Sequence, residues 1–187
     1  NAFAPPAWSD ADLAFNGKLD SRSYVALGSA TLTMQVTGLD PFERFNFVLY
    51  GSRGDANYTS RWSTMVISGV NSFTNRSSTG AVVSTTSLAG DTTRILAANM
   101  NGKVFRYDEI DPGSDGIITF TVMPGGSGST NGYLNAFVLS TSASVADADG
   151  DGMPDAWEWA SLTGTTSGAD TDGDGDGFSN MSEYIAA

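Results

Sequence analysis

Cysteine and histidine are both missing from the 187 residues. Without a thiol there is no disulfide, no thiolate nucleophile and no iron–sulfur cluster. Without an imidazole there is no Ser-His-Asp triad, no His-ligated zinc and no side chain that ordinarily titrates near neutral pH. Positive charge is scarce too: nine Lys+Arg stand against 21 Asp+Glu, a formal net charge of -12. Such a chain repels phosphate backbones, so nucleic acid is set aside as a partner. No apolar run approaches the roughly 20 residues of a membrane helix, and no membrane partner is expected. The sequence opens Asn1-Ala2-Phe3, with neither an initiator Met nor a charged-then-apolar leader. That start suits a mature product or an excised piece of something larger. What is present is enough for a core: 40% hydrophobic and 11% aromatic residues fit one ordinary domain with a small appendage.

The acids are unevenly spread. Residues 147–187 hold ten of them and no base, whereas every Lys and Arg lies earlier. The junction Ser140-Thr141-Ser142-Ala143-Ser144 has linker composition. The sequence therefore divides into a body, 1–142, and an acidic tail, 143–187.

The body alternates with the period of a strand. In Ala30–Gly38, Leu32, Met34 and Val36 share one face and Thr31, Thr33, Gln35 and Thr37 the other. Arg44–Gly51 is rich in aromatic and branched residues on both faces, as a strand central in its sheet should be. Further strands are expected at Trp62–Ser68, Lys103–Tyr107, Ile117–Met123 and Tyr133–Leu139, and the Ser- and Thr-rich 72–93 stretch reads as edge strand and loop. Short strands separated by polar turns, without βα alternation, predict an all-β antiparallel sandwich.

The tail contains two twelve-residue segments of the form D-x-[DN]-x-[DN]-G-x₅-E. Calcium is a hard cation that takes 6–8 oxygens, and this spacing supplies them at positions 1, 3, 5, 7, 9 and 12. The first loop offers Asp147, Asp149, Asp151, the Met153 carbonyl, Asp155 and Glu158. Its counterpart offers Asp172, Asp174, Asp176, the Phe178 carbonyl, Asn180 and Glu183. Gly152 and Gly177 take the sharp turn at position 6. Starting the second loop at Asp170 would put Met181 at the last ligand position, where it cannot coordinate. Each loop leads into a short predicted helix, Asp155–Ser161 and Asn180–Ala186. Bare carboxylates this close repel one another, so the tail is expected to fold on binding calcium.

These DxDGDG loops resemble the tandem calcium repeats of bacterial secreted proteins, related to dockerin and thrombospondin type-3 repeats. The resemblance covers about 40 residues and implies a calcium-stabilised connector or docking element. No amphipathic helix enters either loop, and position 8 is Pro154 or Ser179, unlike an EF-hand sensor. Glu158 and Glu183 stand where dockerins more often carry Asp, which favours a structural calcium over cohesin docking.

The best ligand loop in the body is Gly51–Trp62, GSRGDANYTSRW. A sugar surface needs an aromatic plate for the apolar face of a pyranose and planar polar groups for its hydroxyls. Arg53, Asn57, Tyr58, Arg61 and Trp62 offer both, Tyr133 joins them if the strand ends meet at one rim, and Trp8 is a further plate. Asn135 reads as a buried hydrogen-bonding residue. The cluster Asp108-Glu109-Ile110-Asp111-Pro112-Gly113-Ser114-Asp115 could furnish paired carboxylates for glycoside hydrolysis, but its Pro-Gly-Ser-Asp-Gly core reads as a turn. No catalytic residues are assigned.

Three stretches, VTGLDPFERFNFVLYGS (36–52), RWSTMVISG (61–69) and GYLNAFVL (132–139), resemble the galactose-binding-like and malectin-like sandwiches attached to bacterial polysaccharide-degrading enzymes. The resemblance implies a jelly-roll, a polysaccharide ligand, neutral or anionic, and a covalently linked catalytic neighbour. The expectation is thus a non-catalytic carbohydrate-binding module with a calcium-stabilised tail. The alternative is a calcium-dependent structural, adhesive or docking module that binds protein.

Overall fold

A computed structural model describes residues 5–16, 18–19, 24–85, 89–125, 131–142, 147, 149–162 and 164–186, with backbone alone at 84, 85 and 89. The expected linker residues Ala143 and Ser144, and 126–130 of the glycine-rich turn before Tyr133, lie outside the described residues.

The body is built of antiparallel strands: β1 (Val25–Ala26), β2 (Leu32–Val36), β3 (Phe45–Tyr50), β4 (Trp62–Ser68), β5 (Ser72–Asn75), β6 (Val82–Thr85), β7 (Ala89–Leu96), β8 (Phe105–Asp111), β9 (Ile118–Gly125), β10 (Tyr133–Leu134) and β11 (Ala136–Thr141). One sheet has the order β2-β9-β4-β7-β6 and another β11-β3-β8-β5, with β1 and β10 forming a small ribbon. Through the first four large strands the chain alternates between sheets, and early strands pair with late ones. This is the strand order of a jelly roll, here widened by β11 and β6 at the edges.

The alternating side chains explain the layering. Phe45, Phe47 and Leu49 of β3 and Phe105, Tyr107 and Ile110 of β8 meet Met65, Ile67, Ile95, Ile118, Phe120 and Val122 from the other sheet in one core. Phe47 stacks on Phe120 across the sheets, centroids 3.7 Å apart. The Tyr107 hydroxyl crosses the same gap to donate to Thr93 Oγ1 (3.1 Å), and burial pushes its pKa up to about 12. Val48 and Tyr50 point to the other face of β3, where a short helix, α1 (Asp10–Ala14), covers them with Ala11, Ala14 and Phe15. That second layer is why β3 carries apolar residues on both faces. In contrast, β2 is an edge strand and keeps the half-buried alternation expected of it.

The Pro-Gly-Ser-Asp-Gly core, 112–116, forms the expected turn, and the acids before it, 108–111, extend β8 beyond its expected end at Tyr107. Asp108 pairs with Arg106 (2.8 Å) and Asp111 with Arg44 (3.1 Å), while Glu109, at φ 54°, is hydrogen-bonded to Ser142. Those carboxylates are engaged in holding strand ends. The 72–93 stretch supplies β5 and β6, each at a sheet edge, and the start of β7.

Beyond the sandwich lie two more helices, α2 (Asp155–Ser161) and α3 (Asn180–Ala186), at the predicted positions. No helix among the described residues is long and apolar enough to cross a membrane.

Candidate metal centres and ligand loop

The two acidic loops have similar internal wiring, differing at the fifth position, where Asp151 N donates to Asp147 but Asp176 N donates to Asp174 (3.1 Å). In the first, Asp147 accepts from the backbone N–H of Gly150 (2.8 Å), Asp151 (3.2 Å) and Gly152 (3.1 Å), and Asp151 accepts from Met153 (2.9 Å). In the other, Asp172 accepts from Gly175 (2.7 Å) and Gly177 (2.9 Å), and Asp176 from Phe178 (2.9 Å). The turns need left-handed backbone at the sixth position, where Gly152 has φ 92° and Gly177 φ 99°. This winding gathers Asp147, Asp149 and Asp151, and separately Asp172, Asp174 and Asp176, so that within each triplet one carboxylate oxygen apiece lies within 4.8 Å of the others. Each triplet can hold a metal ion.

The first loop has a further feature. Glu158, on α2, is 0% exposed, and among the described residues neither of its carboxylate oxygens has a hydrogen-bond partner; nor has Asp151 Oδ2. A buried unpartnered carboxylate is costly, and burial followed by the charges of Asp149, Asp151, Asp155 and Asp147 raises its pKa. A hard cation among these oxygens removes both the repulsion and the orphan. Glu183 is raised for the same reasons, burial first and then Asp174, Asp176 and Asp172. Asn180 has another job: its Nδ2 donates to Ser167 O, Gly168 O and Thr171 Oγ1, and its Oδ1 accepts from Gly173 N (3.1 Å). With its amide bonded to the preceding turn, Asn180 braces the second loop, and its Oδ1 keeps a second lone pair.

The loops pack into one unit. Trp157 meets Tyr184 edge-on at 5.4 Å, and a Cβ at Gly152 would sit 3.3 Å from Met181 Cε. Tyr184 and Ile185 of α3 line a cleft with Leu39, Asp40 and Pro41 of the β2–β3 connection, which sets α3 against the sandwich, and burial followed by the Asp40 charge pushes the pKa of the Tyr184 hydroxyl up to about 12.

The ligand loop between β3 and β4 is held from below. Ser52 N donates to Asn135 Oδ1 (2.6 Å), Arg53 N to Ala97 O (2.9 Å), and Ala97 N to Arg61 O (2.7 Å). Asn135 thus has the internal hydrogen-bonding role expected of it. Arg53 lies 4.8 Å from the Tyr24 ring centroid and 5.0 Å from that of Tyr58, and Arg61 lies 4.2 Å from Tyr58. Arg61 Nη1 also donates to the Tyr133 hydroxyl (2.7 Å). Arg53, Tyr58, Arg61 and Tyr133 therefore come together. Tyr133 is 2% exposed and supports Arg61 instead of presenting a ring face. Asn57 is exposed nearby, its N–H spent on Asp55 Oδ1 (2.9 Å). Trp62 lines a separate cleft of about 170 Å³ with Ile95, Met100 and Lys103. Trp8, 83% exposed, precedes α1. Tyr24 is the member of the cluster that sequence reasoning overlooks; its only flag is the two-residue strand that follows it.

No family model matches the chain, and no curated protein or solved structure is detectably similar to it.

Proposed function

We propose that the chain is a non-catalytic carbohydrate-binding module of a secreted, polysaccharide-active protein, with a tail that binds two calcium ions. In this reading the sandwich is galactose-binding-like, the tail is a dockerin-like or thrombospondin type-3-like pair of repeats, and a linked catalytic domain is the covalent partner. The observation that carries it is the braced rim where Arg53, Tyr58 and Arg61 converge with Tyr24. Planar donors and aromatic rings on a fixed loop are what sugar recognition uses. Calcium in the tail is supported by the orphaned Glu158 oxygens beside the Asp triplet, since all-oxygen ligands suit a hard ion.

A second reading has its own support. Trp159, Phe178 and Ile185 of the tail are 67%, 63% and 77% exposed. Large apolar side chains at the surface of a calcium-ordered element suit a protein partner.

Affinity electrophoresis through a panel of neutral and acidic polysaccharides, with calcium and then with chelator, separates the two. Retardation by a glycan, lost in Tyr58→Ala while the melting transition is kept, supports carbohydrate binding. Free migration through every gel leaves the protein-docking reading. Calcium is tested by titrating chelated protein while following Trp157 fluorescence, with magnesium as the comparison.

A further inference from the structure

We propose that the rim formed by Arg53, Arg61, Tyr24 and Tyr58 selects an anionic polysaccharide, one bearing carboxylate or sulfate groups. The inference rests on the carbohydrate reading above and narrows it to a ligand class. Two guanidiniums stand within 5.0 Å of one Tyr58 ring. Like charges so close repel, yet among the described residues neither arginine is ion-paired with a carboxylate, in a chain with 21 Asp+Glu. Asp55, the acid of the same loop, has its Oδ1 on Asn57 N (2.9 Å). The ring faces are the other half of the argument. Arg53 covers Tyr24 and Tyr58, Arg61 covers Tyr58 as well, and Tyr133 is buried. Faces that would stack on a neutral pyranose are therefore shared with cations.

A guanidinium held against a ring keeps its N–H donors in its own plane, directed past the ring edge. Arg61 donates to the Tyr133 hydroxyl, and Arg53, held over Tyr24 and Tyr58, has no carboxylate partner among the described residues. Pre-oriented forks of this kind suit planar carboxylate or tetrahedral sulfate, with the tyrosines limiting the entropy lost on binding. The carboxylate and sulfate arms of the test tell these groups apart.

The test measures binding of calcium-loaded protein to polygalacturonate, to the same polymer fully methyl-esterified, to chondroitin sulfate and to dextran, by calorimetry at low and raised salt. The expected result is binding to polygalacturonate or chondroitin sulfate that weakens with salt, and at least tenfold weaker binding to the ester and dextran. Arg53→Gln should weaken it by a further tenfold or more, whereas Arg76→Gln, a distant exposed arginine, should leave it unchanged. Arg53→Gln is the decisive variant, because Arg61 also secures Tyr133; if it fails to fold, the acid-to-ester ratio of the unmodified protein decides. Equal binding of acid and ester, or tight dextran binding insensitive to Arg53→Gln, overturns the anionic preference while leaving a carbohydrate module. Equal losses in Arg53→Gln and Arg76→Gln show diffuse charge attraction and overturn it too. Binding to none of the four overturns it together with the carbohydrate reading.

Discussion

Glu158 carries two opposed expectations. Its carboxylate is buried beside Asp149 and Asp151 with no donor, so Glu158→Gln removes a repelled charge from the metal-free protein and a ligand from the loaded one. The chelated variant should melt higher than chelated wild type, and its first-loop calcium affinity should fall roughly ten- to a hundredfold, as loss of a metal-site partner does. Calorimetric titration and thermal melting check the pair; a variant unchanged in both would mean that no ion sits beside this residue. Tyr107 makes a separate prediction at alkaline pH. Its pKa is raised from 10.0 to about 12, chiefly by burial. The folded state therefore holds a proton that the unfolded chain releases, and stability is intact below about pH 10 and falls as pH rises through this window. The loss is at most about 3 kcal/mol at 1.36 kcal/mol per unit. Tyr107→Phe should flatten that slope in urea unfolding, at a cost of about 1 kcal/mol near neutrality for the lost bond to Thr93. The Asp triplets were legible because their spacing is a chemical template, while the bracing contacts of Asn180 were not, since its partners come from the turn at 167–173.

Among the elements, the ends of β3 and β10 pass unusually close. A Cβ at Gly51 would lie 2.3 Å from the Tyr133 carbonyl oxygen. Gly51→Ala must push the ribbon aside, and should lower stability by about 2 kcal/mol or more and loosen the Arg61–Tyr133 contact. A denaturant midpoint and the tyrosine region of the circular dichroism spectrum record both effects. Strands with clear alternation or dense apolar content, β2, β3, β4 and β9, could be read from the sequence almost to their ends, because burial of one or both faces dictates residue type. β1 could not, and β5 and β6 were legible only as one edge stretch without their bounds. They are two to four residues long or lie at sheet edges, where backbone pairing supplied by a neighbour decides the conformation and side chains are weakly constrained. Tyr24 escaped notice for the same reason, since its place beside Arg53 is set by the β1–β10 pairing of Val25 with Leu134.

At the level of the whole molecule, Tyr184 and Asp40, which line one cleft, link tail and sandwich. Removing calcium should release α3 and expose the 162–180 segment, and Tyr184→Ala should speed its cleavage further in chelator but little in calcium. Limited proteolysis with mass mapping reads this out, and equal cleavage rates in both proteins would show that the link is inert. The division into body and tail was visible in the charge distribution, whereas this tie between them was not, because it joins residues far apart in sequence. The jelly-roll order has a temporal consequence. β2 must wait for β9, and β3 for β11, so a nascent chain completes the five-stranded sheet only at residue 125 and the four-stranded one only at residue 141. The acidic loops close on near neighbours and can organise in isolation, so refolding should show a quick ion-triggered phase, then a slow one governed by the distant pairings.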